Sequence, residues 1–155
     1  MTDDNTWQPE VDHLHDRRAR MLAMGGEERI KRQHDGGKLT ARERVAAMVD
    51  DGSFREFKHL QGEPEYGPDG KLVSFLPKGM VEGIAKVDGR KVVVAAGDFT
   101  VRGGSGAGTA RGALGAEMSA SQRALEWQIP FVRLLDAAGG SCLLYTSPSP
   151  RDWLQ

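Results

Sequence analysis

A single cysteine, Cys142, among 155 residues excludes an internal disulfide framework and any zinc site built from several thiolates. No apolar run approaches the ~20 residues that a membrane-spanning helix requires. The start, Met1-Thr2-Asp3-Asp4-Asn5, is acidic and lacks the basic and apolar stretches of a secretory signal, so a cytoplasmic location is the expectation. Excess charge of one sign is missing too. With 21 Lys and Arg against 22 Asp and Glu, the formal net charge of −1 provides no field to draw in nucleic acid or an anionic membrane, and neither is expected as a partner. Aromatic residues make up only 6% of the chain, whereas its 20 glycines point to tight turns and close backbone packing. The length suits one domain.

After a start expected to be disordered over residues 1–8, a helical pattern begins at Pro9, with Val11, Leu14, Met21 and Met24 on one stripe. Gly25-Gly26 interrupts it, and a second charged helix runs from Glu27 to about His34. Thr40-Ala41-Arg42-Glu43 is a capping box with Thr40 as N-cap, opening a helix that carries Val45, Met48 and Val49 inward and stops at Asp50-Asp51-Gly52. The Pro- and Gly-rich segment Gln61 to Lys78 reads as a surface loop. Between Met80 and Phe99, two β-rich runs flank Asp88-Gly89, the dipeptide favoured in two-residue hairpins. The first strand is expected to expose Glu82 and Lys86 on one face. The second, Val92-Val93-Val94-Ala95-Ala96, is apolar on both faces and expected to be buried. A glycine-rich turn, a helix of small residues from about 109 to 128, and a second buried strand, Phe131 to Leu135, complete the pattern. Strand, strand, helix, strand describes an α/β spiral of stacked ββα units rather than the strict alternation of a dinucleotide-binding fold.

Three features are candidates for chemistry. Gly103-Gly104-Ser105-Gly106-Ala107-Gly108-Thr109, before a helix, fits either a turn for close packing or a loop whose N–H groups cradle a ligand phosphate. Thr109 stands where a Walker loop needs Lys, and five residues separate the glycines from the preceding strand, so no nucleotide signature is complete. Asp136-Ala137-Ala138-Gly139-Gly140-Ser141 lies at the C-terminal end of a strand, where it reads as a left-handed turn or as paired glycine amides aimed at a developing oxyanion. The Lys- and Arg-rich stretch from Arg17 to Arg44 is either a solvated helix face or a source of phosphate contacts from Lys38, Arg42 or Arg44. His13, His15, His34 and His59 lack metal-ligand spacing. Ser105, Ser119, Ser121 and Ser141 lack a nucleophile elbow.

Taken together, Met24 to Ile30, Gln33 to Val45, Asp51 to Phe57 and Asp98-Phe99-Thr100-Val101 with Gly103-Gly104-Ser105 closely resemble the opening of biotin-dependent acyl-CoA carboxylase carboxyltransferase subunits. The resemblance covers about residues 10 to 141. It implies a crotonase-like ββα spiral preceded by N-terminal helices, with residues 9–141 forming part of the carboxyltransferase N-terminal domain. It also implies carboxybiotin on a carrier partner, a CoA thioester substrate, a biotin carboxylase subunit alongside, and homo-oligomers. Under it, Gly139 and Gly140 are the catalytic oxyanion donors, Gly103, Gly104, Ser105 and Gly106 border the CoA pocket, and no metal is called for. The family's usual oxyanion turn reads Asp-Ser-Gly-Gly-Ala-Arg, and this chain is one residue longer there. The alternatives are a sodium-pump decarboxylase subunit and a non-enzymatic CoA- or nucleotide-binding module. A codon string that encodes Cys142 to Asp152 without a mismatch resembles a transposase adapter used in sequencing libraries, so residues 142–155 are expected to be adapter read-through and the gene truncated after Ser141.

Overall fold

A computed structural model describes residues 7–57, 60–104 and 120–138. The expected disorder at 1–8, most of the helix expected from 109, and the adapter segment fall wholly or largely outside them. α1 (Gln8–Leu22) and α2 (Glu27–Asp35) are separated at Gly25-Gly26, and α3 spans Ala41–Met48. β1 (Arg55–Glu56), β4 (Met80–Val87), β5 (Arg90–Gly97) and β6 (Phe131–Leu134) form one sheet in the order β1-β4-β5-β6, and β2 (Gly62–Tyr66) with β3 (Leu72–Pro77) forms another.

The capping box at Thr40 forms in full: Thr40 Oγ1 accepts from the Glu43 amide at 3.3 Å and the Glu43 carboxylate accepts from the Thr40 amide at 2.8 Å. The same carboxylate lies 2.9 Å from His34 Nε2, tying α2 to α3. First His34 and then Thr40 hold the Glu43 carboxyl at about 2 instead of 4.5. A carboxyl lowered in the folded state stabilises the fold above its ordinary value, and that contribution is lost as pH falls through about 2. Glu43→Gln keeps an acceptor for the Thr40 amide but removes the charge. Its urea midpoint is therefore expected to fall less steeply than the wild type's between about pH 5 and about pH 2; parallel slopes would sink the assignment.

β4 and β5 pair antiparallel around Asp88 and Gly89, which adopt φ of 50° and 76°. β5 is the centre of the molecule. Its alternate residues Val92, Val94 and Ala96 pack with Val45 of α3, and Val93 and Ala95 pack with Ala120 and Ala124 of a helix at 120–126. Residues 92–96 are all buried, as their unbroken apolar text predicts. β6 returns parallel to β5, pairing Val93 with Phe131 and Ala96 with Leu134. Hairpin, helix and parallel strand make one ββα unit, the repeating element of a crotonase-like spiral.

Four expectations are corrected. Residues 61–78 are not a loop. They form the β2–β3 hairpin, which turns through Gly67 to Gly70 and pairs Pro64 with Phe75. Proline is tolerated in a two-stranded sheet because each strand has an edge free of ladder bonds. α1 supports this hairpin, placing Arg17 over the Phe75 ring at 5.6 Å and His13 against Tyr66. Glu82 is buried, at 4% exposure, because its face of β4 is the one that carries Met80 and opposes Ala95, under the helix at 120–126; Lys86 near the hairpin tip is exposed. β6 is half-buried rather than buried, since among the described residues it pairs with β5 alone, at the sheet's edge. On α1 only Met21 is buried, while Val11 and Leu14 face outward.

Candidate functional site

The site begins where β5 ends. Asp98, 2% exposed, accepts from the Thr100 amide at 2.9 Å and its hydroxyl at 2.6 Å, closing a tight turn. Thr100 Oγ1 in turn accepts from the Gly25 amide at 3.0 Å. A Cβ on Gly25 would collide with the Thr100 carbonyl, so the glycine break between α1 and α2 is a point of close backbone approach. Arg102, Gly103 and Gly104 then take φ of 48°, 63° and 69°, three consecutive left-handed residues. For Arg102 that conformation costs about 1 kcal/mol.

This left-handed turn meets the end of β6. Ala138 donates its amide to the Gly103 carbonyl at 2.9 Å, and a Cβ built on Gly104 would overlap the Asp136 carbonyl. The Gly103-Gly104 turn and residues 136–138, the start of the second candidate, are thus neighbours. Asp136 is the hub between them. Gln33 Nε2 donates to it at 2.9 Å, Lys38 Nζ lies 3.4 Å away and Arg44 4.0 Å away. Arg44 also donates to the Gly97 and Leu135 carbonyls, clasping the ends of β5 and β6.

Beside the turn lies an open cleft of about 460 Å³ between α2 and the 99–103 segment. Arg29, Arg32, Lys38 and Arg102 line it, with Phe99 and Gly103 in its wall. Arg29 and Arg32 are three residues apart on one helix face with Gln33 and Gly36. Lys38 stands over the Phe99 ring at 5.1 Å. Glu28 meets Arg32 and Glu63 meets Arg102 at the surface, Lys38 pairs with the largely buried Asp136, and among the described residues Arg29 donates to the Thr100 carbonyl, at 3.4 Å. Cations around an aromatic wall suit a phosphorylated ligand.

Of the sequence-assigned residues, Gly103 lines the cleft and Gly104 serves packing against Asp136 and Ala137. Ser105, Gly106, Gly139 and Gly140 lie outside the described residues. Of the phosphate candidates, only Lys38 reaches the cleft. Arg42 is engaged in a two-point pair with Glu56, at 2.7 and 2.9 Å, and Arg44 holds the strand ends. Sequence reasoning missed Arg102 and did not single out Arg29 and Arg32, whose three-residue spacing was the available signal. Among the described residues, no group of three or more His, Cys, Asp or Glu is arranged to hold a metal, and no helix is long and apolar enough to cross a membrane.

The ββα unit with a ligand-sized cleft at its strand ends defines a crotonase-like α/β protein. Residues 32–144 match the carboxyl transferase domain, and the chain belongs to that family. It is 39% identical over 136 residues to a propionyl-CoA carboxylase carboxyltransferase subunit of Haloferax mediterranei, covering 86% of this chain and 25% of that protein. It is 41% identical over 102 residues to the methylmalonyl-CoA decarboxylase subunit alpha of Veillonella parvula, covering 64% of this chain and 20% of that one. Among solved structures, the transcarboxylase 12S hexamer with methylmalonyl-coenzyme A bound superposes at a TM-score of 0.72 and 32% identity, over 89% of this chain and 26% of that one. The chain spans about a quarter of the length of these relatives.

Proposed function

We propose that this chain is part of the carboxyltransferase component of a biotin-dependent acyl-CoA carboxylase, moving a carboxyl group from carboxybiotin to the α-carbon of an acyl-CoA. The observation that carries this reading is the cationic cleft set against the left-handed turn at Gly103. CoA ends in a phosphorylated nucleotide, and Arg29, Arg32, Lys38 and Arg102 would take its phosphates, with Phe99 as an apolar wall. The thioester end would then extend toward the end of β6, where Gly139 and Gly140 follow in the sequence and would donate backbone N–H groups to an enolate oxygen. Carboxybiotin, brought by a carrier partner, supplies the carboxyl group. None of the described residues is assigned to it. Such chemistry uses positioning and polarisation in place of a side-chain nucleophile. A biotin carboxylase, a carrier subunit and further copies of the subunit complete the assembly in this reading. The Veillonella parvula relative favours a second reading, a decarboxylase subunit acting on the same class of thioester.

Titration of the chain with CoA tests the proposal. Arg29→Ala and Lys38→Ala are each expected to weaken binding about fivefold, equivalent to about 1 kcal/mol for a part-exposed, salt-screened phosphate contact. Absence of CoA binding, or binding indifferent to both substitutions and to salt, would overturn the placement.

A further inference from the structure

Lys38 belongs to two structures at once, since it lines the cleft and is an ion-pair partner of Asp136. We infer that Asp136 is a positioning residue that links occupancy of the cleft to the conformation of the turn after β6. This rests on the reading of the cleft as a phosphate site and of the turn as the oxyanion donor. The backbone of Asp136 to Ala138 is fixed by two contacts: the Ala138 amide on the Gly103 carbonyl, and the Asp136 carbonyl against Gly104. The Asp136 side chain, only 16% exposed, ties that backbone to the helical layer through Gln33, Lys38 and Arg44. Gln33, itself buried, holds one carboxylate oxygen, and Arg44 approaches the same oxygen. Lys38, 58% exposed, holds the other and is the partner free to turn toward an incoming anion.

The carboxylate and an anion in the cleft therefore compete for Lys38. By thermodynamic reciprocity, whatever tightens one contact loosens the other. An anion that draws Lys38 away leaves Asp136 on Gln33 and Arg44 alone, and the segment leading to Gly139 is re-set when the cleft fills. Glu28 and Glu63, the other acids around the cleft, pair with Arg32 and Arg102 and do not touch the turn.

The test uses pyrophosphate as the cleft probe and the Ala138 amide as the turn probe, followed by hydrogen exchange and NMR on this chain. Asp136→Asn preserves shape and the Gln33 contact but removes the charge. It is expected to speed Ala138 exchange about tenfold and to tighten pyrophosphate binding about threefold, because Lys38 is released to the cleft. Loss of the nearby negative charge would by itself favour an anion through space, so the deciding readout is the coupling. Pyrophosphate is expected to speed Ala138 exchange in the wild type and to leave it unchanged in Asp136→Asn, whereas a purely structural Asp136 predicts no effect of pyrophosphate on that amide in the wild type. Lys38→Ala, at an exposed position, is expected to speed Ala138 exchange by a smaller factor while weakening pyrophosphate binding. Opposite signs for the two substitutions in affinity and the same sign in exchange support the linkage. Weaker pyrophosphate binding in Asp136→Asn, or an Ala138 amide unchanged in both variants, overturns it. If Asp136→Asn fails to fold, the Lys38→Ala exchange rate decides alone. If the linkage appears but CoA does not bind, the coupling stands and the acyl-CoA reading falls. If CoA binds and the Ala138 amide is indifferent, the acyl-CoA reading stands and the coupling falls.

Discussion

Replacing Gly104 by alanine is expected to lower stability by about 2–5 kcal/mol and to separate the two glycine-bearing segments. Two costs add. An L-residue at φ of 69° costs roughly 1–2 kcal/mol. The added Cβ would also overlap the Asp136 carbonyl and sit 2.9 Å from Ala137 Cα, and overpacking of this kind costs about 1–3 kcal/mol where the neighbour is backbone. Backbone cannot rotate aside as a side chain can, so Asp136 to Ala138 would have to shift and the bond from Ala138 to Gly103 would stretch. Gly103→Ala is the control, because among the described residues a Cβ there meets only the Ala138 Cβ, at 3.7 Å. Urea unfolding of the two variants makes the measurement. A Gly104→Ala protein as stable as Gly103→Ala would show that the close approach carries no energetic weight.

The second large effect concerns turnover. In a full-length carboxyltransferase carrying this segment, Gly140→Pro is expected to reduce kcat a hundredfold or more while changing KM for acyl-CoA much less. Proline removes the amide donor and fixes φ. Loss of one oxyanion donor elsewhere costs about 3–4 kcal/mol of transition-state stabilisation, an interaction that is strongest only once charge has developed on oxygen. The affinity half of the expectation follows from the proposed division of labour, in which the cations of the cleft, on α2, at Lys38 and at Arg102, take the nucleotide end of CoA and the amide of residue 140 meets only the thioester oxygen. A folded Gly140→Pro enzyme with undiminished kcat would assign the turn a structural role only.

What could be read from the sequence was local. The Thr40–Glu43 box and the Asp88-Gly89 hairpin each depend on residues within four positions, and β5 announced its two-sided burial by an unbroken apolar run. Misreadings arose where a distant element decides. Pro64 and Pro77 argue against strands until α1 is known to cover the hairpin. Glu82 alternates with apolar residues like a solvated side chain, and its burial follows from the face that it shares with Met80 and Ala95, against which the helix at 120–126 packs. The site divided the same way. Two glycine clusters were visible as turns, but the bond from Ala138 to Gly103 joins positions far apart in sequence, as do the 33–136 and 38–136 contacts. The family resemblance ran through the residues that hold Asp136 without revealing that they meet on it.

The two-faced burial of β5 also sets an order of assembly. β4 and β5 are joined by a two-residue turn, so one face of β5 can be covered by neighbours adjacent along the chain, with α3 close behind. The other face waits for the helix at 120–126, and the parallel partner β6 cannot arrive until the chain from Gly97 to Phe131 has closed on itself. Closing a crossover of that length costs about 3 kcal/mol of chain entropy before any contact is made. The half of the molecule built on β4, β5 and α3 is thus the early half. The turn at Asp136, which joins the end of β6 to Gly103 and Lys38, is expected to be put in place last, by the segment that travels farthest along the chain.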